Sequence, residues 1–372
     1  MKYYSAQPII DYAKSIDCPF IGIAGGKGNG KTYDIIRIGL NERIKKGYIL
    51  RYLRRYAESI KPKAIQSLCK PHRQTLINIT NGKYNDFQYF QNRFWLVRKD
   101  ETGKIVEKDT EPFIVCSALN SVEGFTGADE GVCSMIFYDE VLSREKELED
   151  EYYKLMIFHS NCIRNRTNKW TPLIMVGNTV TRNSIIISDF GVNLYEMKKG
   201  EITVVKNSKG EPTIVFEYCD EVEIMTAAAD TYYKRFENDR IKMIYKGDWT
   251  IGNYPHIPKQ MLSSTYMIAR IKIIAPSNRA ICFQFHSLGD KIFGYVRSYD
   301  SDKLPKICTF INKQELFKTD VFNYLPQRGI FKKFIALVYT KNVFFESCEV
   351  GEQFRDFLKN FTGAQNISNI YK

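Results

Sequence analysis

Short unbroken apolar runs recur through the first half of the chain, set between stretches with helical spacing. Pro19-Phe20-Ile21-Gly22-Ile23-Ala24 is the first, and a run of that kind predicts a buried strand. Behind it Tyr33, Ile36, Leu40 and Ile44 recur as on one face of a helix, with Gly47 as its C-terminal stop. Tyr48-Ile49-Leu50-Arg51-Tyr52 begins a second strand. Tyr89-Phe90 and Phe94 to Val97 predict short strands among turns such as Asn81-Gly82. Phe113 to Cys116, Cys133 to Tyr138 and Leu173 to Val176 are further buried strands. Between the last two, a helix opens at Arg144-Glu145-Lys146-Glu147 and carries Leu155, Met156 and Phe158.

The pattern changes at Ile202, where Ile202 to Val205, Asn207-Ser208-Lys209-Gly210 and Thr213 to Phe216 predict a hairpin. Thr226 to Tyr245 is helical in pattern, and Gly247, Gly252, Pro255 and Pro258 mark a boundary. Beyond it Ala280 to Phe285, Ile292 to Val296 and Ile307 to Phe310 predict a β-meander, followed by helices around 315–322 and 351–361. The division expected is 1–222, a linking unit 223–258, and a C-terminal domain 259–372.

Candidate chemistry concentrates where the first strand meets the first helix. Gly25-Gly26-Lys27-Gly28-Asn29-Gly30-Lys31-Thr32 satisfies G-x-x-x-x-G-K-[ST]. Glycines let backbone N–H groups turn inward around phosphates, and the helix start adds its positive end. In that reading Lys31 reaches the β- and γ-phosphates of ATP and the Thr32 hydroxyl ligates Mg²⁺. The strand ending in Asp139-Glu140 supplies the second mark: Asp139 holds Mg²⁺ directly or through water, and Glu140 polarises the attacking water. Gln7 either hydrogen-bonds an adenine edge or is a surface residue. Arg54 and Arg55 either approach a phosphate or lie at a sheet edge. Arg164 and Arg166 are finger candidates or surface arginines, and Asn178-Thr179 is a γ-phosphate sensor or a turn.

Composition narrows the class. The chain has 372 residues, 44% hydrophobic and 26% charged, as in a globular protein of two domains. No apolar stretch is long enough to span a membrane, and the first residues lack a signal-peptide core. Nine cysteines stand singly without a CxxC pair, and four histidines stand alone, so free thiols are expected rather than disulfides or zinc. The net charge is +12. Residues 259–372 hold 17 Lys+Arg against 9 Asp+Glu, a net of +8, whereas residues 1–258 hold 37 and 33. Such a basic segment suits phosphate backbones or is simply a soluble face.

The chain resembles the genome-packaging ATPases of small tailed bacteriophages, the phi29-like relatives of terminase large subunits. The residues carrying the resemblance are the loop at 25–32, Tyr52-Leu53-Arg54-Arg55-Tyr56, Phe137-Tyr138-Asp139-Glu140, Arg164-Asn165-Arg166 and Gly177-Asn178-Thr179, in that order over residues 1 to about 200. It implies an α/β P-loop ATPase domain of the ASCE type with a mostly parallel sheet. A linker unit would follow, then an α+β ribonuclease-H-like C-terminal domain, a vestigial nuclease that binds nucleic acid. Lys31, Thr32 and Asp139 would bind ATP and Mg²⁺, Glu140 would be the base, Arg164 a trans-acting finger, and Asn178 with Thr179 the coupling motif. The partners implied are double-stranded DNA, the portal of the procapsid, other copies in a ring (a pentamer), and in some relatives a packaging RNA. The place implied is the host cytoplasm, at the portal vertex during packaging and not in the mature virion. One departure stands out: residues 117–131 contain no lysine and include Glu123, Asp129 and Glu130, so the groups gripping DNA are unassigned. Gln284 and His286 stand where an active nuclease of that fold would place acids, and Asp290, Asp300 and Asp302 fall in turn-like sequence. Two alternatives remain: a terminase with a live metal-dependent nuclease, and a nucleotide-gated scaffold for RNA or capsid protein.

Overall fold

The computed structural model describes residues 3–124, 131–144, 147–148, 150–164, 170–182, 184–220, 248–249, 251–274, 280–299, 307–310 and 329–360. They form two compact units. The first comprises Met1–Ser143, Glu147–Thr179 and Asp189–Asp248, and the second Arg144–Lys146, Val180–Ser188 and Trp249–Lys372.

In the first unit ten strands make one sheet: β1 (Phe20–Gly25), β2 (Ile49–Arg54), β3 (Asp86–Phe90), β4 (Arg93–Lys99), β5 (Ile105–Lys108), β6 (Ile114–Ala118), β7 (Cys133–Asp139), β8 (Leu173–Asn178), β9 (Ile202–Lys206) and β10 (Pro212–Tyr218). Their order is β3-β4-β6-β2-β7-β8-β1-β10-β9, with β5 paired to β4. The stretch β6-β2-β7-β8-β1-β10 is parallel throughout, and antiparallel strands close both edges. Parallel strands are covered on both faces, which is why β1, β7 and β8 read as unbroken apolar runs and are buried along nearly their whole length.

Helices α1 (Gln7–Ser15), α2 (Lys31–Lys46), α3 (Pro62–Ile65), α4 (Arg73–Ile79) and α5 (Glu151–Ile163) interrupt the strands, and α6 (Ile185–Asp189), between β8 and β9 in the chain, falls through Ser188 in the second unit. Helix α2 stops at Gly47, whose φ of +74° makes the left-handed cap expected of a glycine there. Its buried stripe includes Ile35, Ile36, Ile38 and Leu40, whereas Tyr33 and Ile44 remain partly exposed. On the buried side Gly39 lies against Leu50, its missing Cβ position only 3.1 Å from that side chain.

Other departures have local causes. Helix α5 begins at Glu151 rather than at Arg144, whose Nε donates to the Val180 carbonyl. The turn between β3 and β4 is Gln91-Asn92, both at positive φ, a hairpin signal without glycine. The hairpin of β9 and β10 forms as expected, and β10 also pairs in parallel with β1.

The second unit holds a five-stranded sheet of β11 (Tyr266–Ile274), β12 (Ala280–Leu288), β13 (Lys291–Ser298), β14 (Ile307–Phe310) and β15 (Val343–Phe345), in the order β14-β11-β12-β13-β15. Helices α7 (Lys259–Ser263), α8 (Ile330–Tyr339) and α9 (Cys348–Asn360) accompany it. The meander is β11-β12-β13, not the one expected: Ile307 to Phe310 pairs in parallel with β11 instead of following β13. Strand β11 was hidden because Arg270 and Lys272 break its apolar pattern while Tyr266, Met267 and Ile268 are exposed. Phe283 lies at the centre of this core, in ring contact with Phe285, Phe334 and Phe354. The helices expected at 226–245 and 315–322, and Asp129, Glu130, Arg166, Asp300 and Asp302, lie outside the described residues.

Candidate nucleotide site

Strands β1, β8 and β7 run side by side and end on the same edge of the sheet. In their register Gly25 lies opposite Asn178, and Val176 opposite Asp139. Carboxyl ends of parallel strands are where α/β sheets take ligands. Strand β8 separates the strand leading into the glycine loop from the strand ending in the acids.

The loop from Gly25 to Gly30 turns into α2 through Gly28 at φ +83° and Gly30 at φ +99°, conformations that side chains with a Cβ rarely adopt. Gly30 is the N-cap, so the first free N–H groups of a sixteen-residue helix face the loop. The loop folds over the Lys31 ammonium, which donates to the carbonyls of Gly25 (3.1 Å) and Gly26 (2.7 Å) and to Asn29 Oδ1 (3.0 Å). Asn178 Oδ1 lies 3.5 Å from the same nitrogen. Burial lowers the Lys31 pKa to about 8, against the pull of Cys219 and Asp139. The Asn29 amide nitrogen is buried without a hydrogen-bond partner. Lys27 is exposed. The N-terminal segment closes on the loop: the Tyr4 amide donates to the Asn29 carbonyl, and the Ala6 amide to Asp34 in α2.

Thr32 Oγ1 faces Asp139 Oδ1 at 3.5 Å. A hydroxyl and a carboxylate so placed form an oxygen set suited to a small hard cation such as Mg²⁺. The other Asp139 oxygen accepts from Tyr52 at 3.0 Å and lies 3.6 Å from Arg54. Burial raises the Asp139 pKa, and Arg54 and Tyr52 oppose that rise. Arg54 also bonds the Glu140 carboxylate. Glu140 is half exposed at its side chain and sits at φ +61°. Thr179 is buried, its amide donating to the Gly25 carbonyl.

Lys31, Thr32, Asp139, Glu140 and Asn178 thus lie together at the ends of β1, β7 and β8. Two residues stand apart. Arg164 is exposed just past the end of α5, and Gln7 is exposed on α1 with its amide turned to Asp11 at 2.8 Å. Tyr52 was missed as a site residue, although its two-residue spacing from Arg54 on β2 was the available signal.

No family model matches the sequence, and no curated protein matches it. Solved structures do. The Phi-28 gp11 DNA packaging motor aligns over 97% of this chain and 98% of its own, with a TM-score of 0.50 at 16% identity. The N-terminal domain of the DNA packaging ATPase from bacteriophage phi29 covers 60% of this chain and 99% of its own, at TM-score 0.46 and 18% identity. A large terminase from a thermophilic bacteriophage covers 96% and 86%, at TM-score 0.39 and 11% identity. Fold and site define a mostly parallel α/β protein with a glycine loop and an acidic pair on one sheet edge. That fold is the one found in phage DNA-packaging motors.

Proposed function

We propose that this chain is an ATP-driven motor that moves double-stranded DNA into a phage procapsid through its portal. The observation that carries the reading is the convergence of Lys31, Thr32, Asp139, Glu140 and Asn178 on one sheet edge. The separation of β1 from β7 by β8 supports an ASCE-type P-loop domain. The loop amides and Lys31 bind the triphosphate of ATP, and charge on the β- and γ-oxygens replaces the carbonyls that Lys31 now contacts. Thr32 and Asp139 would hold Mg²⁺, which would supply positive charge beside the phosphates. Glu140 orients and deprotonates the attacking water. Asn178, within reach of Lys31, responds to loss of the γ-phosphate.

Arg164 lies apart from these residues in sequence and is exposed, which suits a finger offered to the site of a neighbouring copy in a ring, of five members in our reading. Thr179 is the proposed coupling partner of Asn178, and the proposed adenine contact of Gln7 requires its amide to leave Asp11.

For the second unit we propose a ribonuclease-H-like fold that binds nucleic acid, DNA or a packaging RNA, without cutting it. On β12, His286 and Gln284 are bonded to each other at 3.1 Å, and His286 also meets Thr265 at 2.7 Å. Neutral groups bonded among themselves are a poor ligand set for two catalytic cations. The protein acts in the host cytoplasm, at the portal vertex. No helix among the described residues is long and apolar enough to cross a membrane.

The test is DNA protection. Empty capsids, this protein, ATP and DNA are combined, and nuclease is then added. Protected DNA that depends on ATP and is lost with Lys31→Ala supports the motor; turnover of ATP without any protection favours the scaffold alternative.

A further inference from the structure

Glu140 occupies the left-handed region at φ +61° although it carries a Cβ. Such a conformation is strained and persists only where the surroundings fix the chain on both sides. Both fastenings are visible. Before Glu140, the Tyr138 hydroxyl donates to Glu151 Oε1. After it, the Val141 carbonyl accepts from Arg55 Nη2 at 2.8 Å, and the Val141 amide donates to the Val176 carbonyl at 2.9 Å.

The two fastenings share one ion pair. Arg55 grips Glu151 with two nitrogens, Nε at 2.9 and 3.1 Å and Nη2 at 2.9 Å. Both residues are buried, 5% and 3% exposed. The Leu148 amide donates to Glu151 as well, at 3.0 Å. A buried charge needs this degree of satisfaction to be retained. Arg54, the last residue of β2, thus bonds the Glu140 carboxylate, and Arg55, just past the strand, bonds the backbone carbonyl of the next residue, Val141.

We propose that Arg55 and Glu151 are positioning residues for Glu140: their ion pair, acting through Tyr138 and the Val141 carbonyl, holds the strained turn that presents the Glu140 carboxylate. This rests on Glu140 being the general base. Arg55 and Glu151 act on turnover rather than on nucleotide affinity, because what they fix is the turn after β7 and not the glycine loop.

The experiment measures steady-state ATP hydrolysis and ATPγS affinity on the full chain. Four variants are compared: Glu151→Gln, Arg55→Lys, Tyr138→Phe, and the charge-free pair Arg55→Met with Glu151→Leu. The pair removes both charges of the bridge together, while Glu147 stays buried near by, so the fold of this variant is checked by circular dichroism before its kinetics are read. Expected are a fall in kcat of tenfold or more for the pair and for Glu151→Gln, with KM and ATPγS affinity within twofold of wild type. Arg55→Lys keeps the charge without the fork and loses less. Tyr138→Phe, which removes only a hydroxyl, loses about fivefold. A folded pair variant with wild-type kcat overturns the proposal, as does an equal loss of affinity and kcat. If the pair variant does not fold, an unchanged kcat in Tyr138→Phe overturns it. Glu140→Gln is run alongside: normal hydrolysis in that variant removes the base itself and this inference with it, whereas its inactivity beside a fully active pair variant removes only the clamp.

Discussion

Arg54 binds the carboxylate of Glu140 with one guanidinium nitrogen, while another lies 3.6 Å from Asp139 and 3.2 Å from the Tyr52 hydroxyl. One cation therefore holds both members of the acidic pair. For Asp139 the consequence is electrostatic: burial pushes its pKa up, and Arg54 is the leading influence pulling it down. Only the ionised carboxylate attracts a cation, so Arg54→Ala moves the acid limb of kcat/KM to higher pH. Below that limb the rate falls about tenfold per pH unit. A pH profile of the folded variant that superimposes on wild type contradicts this.

Lys31 gives a second pH signature of opposite kind. Its pKa of about 8 in the protein is set by burial, and the negative charge of bound ATP raises it. Between pH 8 and 9, then, binding is accompanied by proton uptake approaching one proton per ATP. Above pH 8 the apparent affinity weakens by up to about tenfold per unit, because binding must first recharge the amine. Calorimetry in two buffers of different ionisation enthalpy reads the uptake directly. Equal heats in both buffers across that range would count against it.

Arg164 is exposed one residue past α5, and in the proposed ring it would serve the site of a neighbouring copy. Arg164→Ala and Glu140→Gln each abolish turnover alone in the proposed ring. Mixed together they form interfaces that pair an intact Arg164 with an intact Glu140, and part of the activity returns. The measurement is hydrolysis against mixing ratio at constant total protein, and a flat line at the floor removes the trans role.

Much of the first unit was legible because its chemistry is local. The loop at 25–32 sits between an apolar run and a helical repeat, so strand, loop and helix follow from one stretch. The run ending in Asp139-Glu140 announces its own strand end for the same reason. What sequence concealed is non-local. The pairing of β10 with β1 joins residues far apart in the chain without a local signal. Arg55 and Glu151 form a buried ion pair across ninety-six positions, and each looks like an ordinary surface charge in its own neighbourhood. In the second unit β11 was lost because its leading apolar residues are exposed and its later ones alternate with charges. Strand order there depended on that missing strand.

Gly177, next to Asn178 on β8, tests how tightly the site is backed. A Cβ built there would come within 2.5 to 2.8 Å of three Leu142 side-chain atoms, closer than any real contact allows. Leu142 is itself buried, two residues beyond Glu140. Gly177→Ala therefore costs about 1–3 kcal/mol by overpacking. Leu142→Ala removes two of the three obstructing atoms, Cγ and Cδ1, and keeps Cβ at 2.8 Å, at a cost of about 2–5 kcal/mol of its own. In that background Gly177→Ala should cost less, because the two closest contacts are gone and only the Leu142 Cβ remains to be moved aside. A urea-denaturation cycle over the four proteins gives the coupling, expected at about 0.5–3 kcal/mol in favour of the double variant. Additive costs would mean that the β8 backbone, not Leu142, absorbs the added atom, and that Gly177 answers to strand geometry alone.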